Sequence, residues 1–145
     1  MTEIEQYEFD RQGDIVIKNM LTNQEVESLR SAVDVLEEHA LEYVDEPPRL
    51  VSAWGHEYHV NKEKGYHVQG AKEEGKTLII EDFWNADSAF DVLLDHSKTM
   101  DCVQAVVRSR PTINNSEIRI RYKGNASSSH GGMRPDNSKY RYTFT

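Results

Sequence analysis

Six histidines are the residues of this 145-residue chain best suited to metal chemistry, since a neutral imidazole nitrogen is the commonest protein ligand for zinc and iron. Three of them, His56, His59 and His67, fall in one stretch, and Gly55-His-Glu-Tyr-His59 has the outward look of a zinc-binding helix. That helix needs histidines four positions apart, so that adjacent turns present both to one metal; these two are three apart in a Gly-flanked segment. A zinc-dependent hydrolase built on this cluster is therefore disfavoured. His39 and His96 fall near the ends of expected helices, where a histidine commonly meets the helix dipole or water. His130 stands apart. It lies in Ser127-Ser-Ser-His-Gly-Gly132, after one alternating strand pattern and before another, the position of a ligand at a strand edge. The single cysteine, Cys102, has no partner for an internal disulfide and sits among apolar residues, which predicts a buried, inert thiol.

Charge adds a second candidate feature. The chain carries a net charge of -8, which disfavours nonspecific binding to nucleic acid or to an anionic membrane surface. The balance is uneven: residues 1–107 hold 9 Lys and Arg against 23 Asp and Glu, and residues 108–145 hold 8 against 2. The C-terminal basic segment reads either as a pocket for an anionic co-substrate or acyl-thioester, or as arginines on the solvent face of a strand. The first ten residues are acidic without an apolar run, unlike a signal peptide, and no stretch is long and apolar enough to span a bilayer. With the lone cysteine, this points to a soluble, cytoplasmic protein; the oligomeric state is not legible.

These residues need elements to hold them. Asp14 to Lys18 is a short β-branched run after a Gln-Gly turn and predicts a strand. Thr22 and Glu25 form a capping box, from which Val26, Leu29, Val33, Leu36 and Ala40 recur at helical spacing to about Tyr43, before Pro47 and Pro48. Arg49 to Lys76 has no sustained periodicity and predicts a long excursion with at most one short strand, the kind of loop that covers an active site. Thr77 to Glu81 predicts a strand. Asp87 or Ser88 opens a helix turning Phe90, Leu93 and Leu94 inward, and a second helix follows over about 98–107. Ile118, Ile120 and Tyr122 alternate with Glu117, Arg119 and Arg121, the period of a half-buried strand; Tyr140, Tyr142 and Phe144 alternate again at the end. One α+β domain over 1–145, with helices backing a sheet, is the expected architecture.

The stretch from Tyr7 to Leu29, with Tyr7, Phe9, Gly13, the run Ile15-Val-Ile17 and then Thr22, resembles the start of phytanoyl-CoA dioxygenase-like proteins. The region 87–107 resembles the middle helices of that family, and Ile118 to His130 is similar to the segment leading into its first iron-binding strand. The resemblance implies an oxidoreductase, a dioxygenase that uses Fe(II) and 2-oxoglutarate to hydroxylate a small organic substrate. It also implies an incomplete double-stranded β-helix, a cupin-like jelly roll. His130 would be the first metal ligand of a His-x-carboxylate pair. The position two beyond holds Gly132, which departs from that pattern, and Asp136 lies too far along to replace the carboxylate. The second histidine and the basic residue that grips 2-oxoglutarate would lie downstream, so the expectation is the N-terminal part of a larger oxygenase domain, inactive by itself. A noncatalytic module that binds an anion or a partner is the competing reading.

Overall fold

A computed structural model describes residues 1–46, 49–52, 55–107, 109–113 and 115–126. It is an α+β arrangement: one five-stranded antiparallel sheet with helices, its strand order following the chain, β1-β2-β3-β4-β5. The strands are β1 (Arg49–Val51), β2 (Glu57–Val60), β3 (His67–Gly70), β4 (Thr77–Glu81) and β5 (Glu117–Arg121).

The expected helix after Thr22 forms as α2 (Asn23–Tyr43), and both halves of its capping box are present: the Glu25 amide donates to Thr22 Oγ1 at 3.2 Å and the Thr22 amide donates to Glu25 Oε2 at 2.6 Å. That bond pulls the Glu25 carboxyl below its ordinary range. Ala32, Leu36, Ala40 and, just past the helix, Val44 bury the apolar stripe against Val68, Leu78 and Ile80 of the sheet, joined by Tyr66, Phe83 and Phe90. Register explains why these strand residues meet one helix. Val68, Ile80 and Ile118 lie directly opposite one another across β3, β4 and β5, as do Leu78 and Ile120, and period-two alternation puts them all on one face. Val68, Leu78, Ile80 and Phe90 are fully buried, each worth roughly 1.5–3 kcal/mol relative to exposure.

Arg49 fastens the edge strand to the end of α2. Its guanidinium donates to the Val44 carbonyl at 3.1 Å and to Asp45 Oδ1 at 3.0 Å, and lies 3.2 Å from Glu57 on the neighbouring strand.

Three expectations need correction. Residues 14–18 form no strand: Ile15 and Ile17 are half-buried and Val16 is exposed, so the alternation persists, but no neighbouring segment among the described residues pairs with it. The stretch 49–76 is not one long loop. It holds three short strands, β1 to β3. The region after Asp87 is a 3-10 turn, Ser88–Asp91, running into one helical turn, α3 (Val92–Asp95); Phe90 is buried there, whereas Leu93 is exposed. The second helix forms as α4 (Ser97–Val106), with Cys102 half-buried on it. An unexpected helix, α1 (Glu3–Gln12), opens the chain with a second capping box, Thr2 and Glu5, and stops at Gly13, whose φ of +84° suits a left-handed cap. None of its residues is buried.

Candidate functional site

The structure separates the three clustered histidines. His56 is exposed at the β1–β2 connection. His59 faces α2 and is 8% exposed, while His67 lies opposite Val60 and therefore on the other face of the sheet. His39 is exposed on α2, and His96 sits between α3 and α4. Among the described residues no three His, Cys, Asp or Glu side chains come together in a way that could hold a metal ion. His130, Gly132 and Asp136 lie outside the described residues. The described part of the chain thus supplies no ligand set for Fe(II).

The sheet face turned away from α2 is mixed in character. One row across it runs Val60, His67, Glu81 and Glu117, and Leu50, Tyr58, Ile79 and Arg119 share that face. The rings of Tyr58 and His67 lie 5.3 Å apart. Arg119 grips its own-strand neighbour Glu117 with both nitrogens, at 2.7 and 3.1 Å, and this carboxylate raises the guanidinium further above its usual range. Arg119 is therefore spent on a local carboxylate and is no preformed anion receptor.

The helix-covered side carries a cleft of about 590 Å³ between α2 and the β2–β3 hairpin, walled by Val35, Leu36, Tyr43 and the rings of His59 and Tyr66. The hairpin turn is tightly built. Asn61 Oδ1 accepts from the amides of Glu63 and Lys64 at 3.1 and 2.9 Å, and the Gly65 amide donates to the Asn61 carbonyl at 2.7 Å, with Gly65 at φ +77°. This arrangement leaves the Asn61 amide nitrogen free to donate to the Tyr66 hydroxyl at 3.1 Å. Lys64 reaches across to donate to the Ala86 carbonyl at 3.0 Å, tying the hairpin tip to the segment after β4. His59 Nδ1 lies 2.7 Å from the Glu46 carbonyl oxygen, and Tyr43 stacks against its ring, centroids 6.3 Å apart. Burial pushes the Tyr66 phenol above its ordinary range. Tyr43, Asn61 and Tyr66 were not singled out by sequence reasoning; the only available signal was Asn61 followed four residues later by Gly65, a turn signature.

A third polar cluster pins the sheet to the helix. Tyr122 donates to Glu37 Oε1 at 2.8 Å, and Lys72 approaches the same oxygen at 3.2 Å while lying 5.9 Å from the centre of the Tyr122 ring. The phenol bond, then Lys72, lowers the Glu37 carboxyl, and burial with the Glu37 charge pushes the Tyr122 phenol up.

No protein-family model matches the chain, and neither the curated proteins nor the solved structures give a significant match.

Proposed function

We propose that the chain is the N-terminal, sheet-forming portion of a phytanoyl-CoA dioxygenase-like enzyme, one that uses Fe(II) and 2-oxoglutarate to hydroxylate a small organic substrate within a cupin-like jelly roll. One observation carries the reading: α2 covers one face of the antiparallel sheet, while Tyr58, His67 and Ile79 on the other face are only half-buried. A jelly roll is two antiparallel sheets face to face, and in this reading the helix-backed sheet would supply one of the two. Its second face would then line the interior, where Val60, Tyr58 and Ile79 would exclude water from a substrate. Iron would be held by His130 together with groups outside the described residues.

The test is a Co(II) titration, followed by visible absorption, of the protein encoded by the complete reading frame. The expected result is one site that is lost in His130→Ala and retained in His56→Ala. Loss only with His56→Ala, or no Co(II) absorption band at all, overturns the reading and leaves the noncatalytic binding module.

A further inference from the structure

Among the described residues no strand lies beyond β5, so its outer side is an edge of the sheet. The ladder fixes which backbone groups that edge presents. The Asp82 amide donates to the Ser116 carbonyl at 3.0 Å and the Tyr122 amide to the Lys76 carbonyl at 3.2 Å, so Ser116, Ile118, Ile120 and Tyr122 turn their backbone groups towards β4. Glu117, Arg119 and Arg121 therefore aim their amides and carbonyls outward, where no described strand meets them. The apolar layer thins in the same direction: Leu78 and Ile80 on β4 are fully buried, whereas their partners Ile120 and Ile118 on β5 are only half-buried.

Charges of one sign along an edge repel an incoming strand. β5 instead carries both signs, Glu117-Ile-Arg-Ile-Arg121, in an order that suits a second copy of itself. Two β5 strands running antiparallel about Arg119 set Glu117 opposite Arg121 of the other copy, twice by symmetry, and Ile118 opposite Ile120 on the helix-covered face. The outward amides and carbonyls then face their counterparts directly. The two Arg119 side chains meet at the centre, but each guanidinium is already held by its own Glu117, at 2.7 and 3.1 Å. The chain's other alternating run suits the edge less well by charge: with Tyr140, Tyr142 and Phe144 aligned beside Ile118 and Ile120, Lys139 and Arg141 would join Arg119 and Arg121 on the opposite face.

We infer that two copies of this chain associate through β5, joining their sheets edge to edge into one continuous sheet with both α2 helices on the same side. The two-fold axis stands perpendicular to the sheet, so the contact is isologous and uses the β5 edge of both copies. Ile118 and Ile120 of each copy extend the apolar layer of the other. One short strand pair buries less surface than a permanent interface, so the association is reversible. It involves neither Tyr58, His67 and Ile79 nor His130, and stands or falls apart from the oxygenase reading.

The experiment is sedimentation equilibrium of the full chain over a range of concentrations, beside variants of the edge. The expected result for the wild type is a mass that rises with concentration from one chain to two. Arg121→Glu puts carboxylate against carboxylate at both symmetric positions and should weaken the dimer about tenfold; the exchange Glu117→Arg with Arg121→Glu restores opposite charges and should recover it. Arg119→Pro removes an outward amide and no bond to β4, so it should keep the far-ultraviolet circular dichroism of the wild type and lose the dimer. A mass of one chain at every concentration overturns the inference without any variant. So does a dimer that Arg121→Glu and Arg119→Pro leave unchanged, or a double exchange that folds yet associates no better than Arg121→Glu.

Discussion

Replacing Tyr122 with Phe removes one oxygen from the cluster that ties β5 to α2 and leaves the ring, and with it the contact with Lys72, in place. The bond lost is a phenol donating to a carboxylate at 2.8 Å. A hydrogen bond to a charged group contributes about 1.5–3 kcal/mol, and because the Glu37 side chain keeps 20% exposure and retains Lys72, the discounted loss is about 1–2 kcal/mol. For a chain of this size that corresponds to a fall in Tm of roughly 3–8 °C. The sign with pH follows from Glu37, whose carboxyl is lowered in the folded state first by Tyr122 and then by Lys72. Stability from a lowered carboxyl is present above its unfolded value and disappears as pH falls through the folded value. The gap between wild type and Tyr122→Phe should therefore be full near neutrality and should narrow in acid, below the ordinary glutamate value of 4.5. Urea melts of both proteins, near neutral pH and well below that value, measure it. Glu37→Gln alone and with Tyr122→Phe closes a double-mutant cycle that isolates the pair. Coincident midpoints at neutral pH, or a gap that widens on acidification, would refute the argument.

Two further substitutions probe the frame. Gly70 ends β3 at φ +96°, and a Cβ there would stand 1.9 Å from the Thr77 carbonyl oxygen, so Gly70→Ala should lose more than the ~1–2 kcal/mol of left-handed strain alone and lower the thermal midpoint accordingly. Thr22→Ala removes the hydroxyl from the α2 capping box and should cost about 1 kcal/mol in a chemical melt; an unchanged midpoint would mean that packing of the helix stripe alone fixes its start.

The helix α2 was legible because two independent signals coincide in it, a capping box and an apolar stripe at helical spacing. Strands β4 and β5 were legible through their apolar runs and alternation, Leu78 and Ile80 in one and Ile118 and Ile120 in the other. Strands β1 to β3 were not. They are three or four residues long, too short to establish a period, and they carry Glu57, His59 and Gln69 where a strand signal would want apolar residues. The glycines that made 49–76 look like a loop include the turn residues of two hairpins, Gly65 and Gly75, both at positive φ. The run at 14–18 misled in the opposite way: its β-branched residues favour a strand, but a strand also needs a partner to bond with, which no local pattern specifies. Helix α1 carries a capping box, Thr2 three residues before Glu5, but no apolar stripe, so periodicity does not reveal it. For the site, His56, His59 and His67 are close in the chain, but their spacing is wrong for one zinc-binding helix and says nothing of which sheet face each would take. Alternation and register decide that, placing His59 and His67 on opposite faces, since His59 opposes Val68 whereas His67 opposes Val60. The cleft was invisible because it is made by residues from α2 and a hairpin that meet only in the folded chain.

Because strand order follows chain order, three of the four strand pairings close through short turns, while β4 and β5 are joined through the whole of residues 82–116. Folding should therefore divide into unequal steps. The hairpins from β1 to β4 need little loop closure and can form early, whereas the β4–β5 pairing, Thr77 to Glu81 against Arg121 to Glu117 and the longest ladder in the sheet, must wait for a long segment to return. Closure entropy grows only with the logarithm of loop length, so the delay depends weakly on how many residues intervene. Ile118 and Ile120 thus complete, late and together, a core that α2 and the earlier strands have already begun.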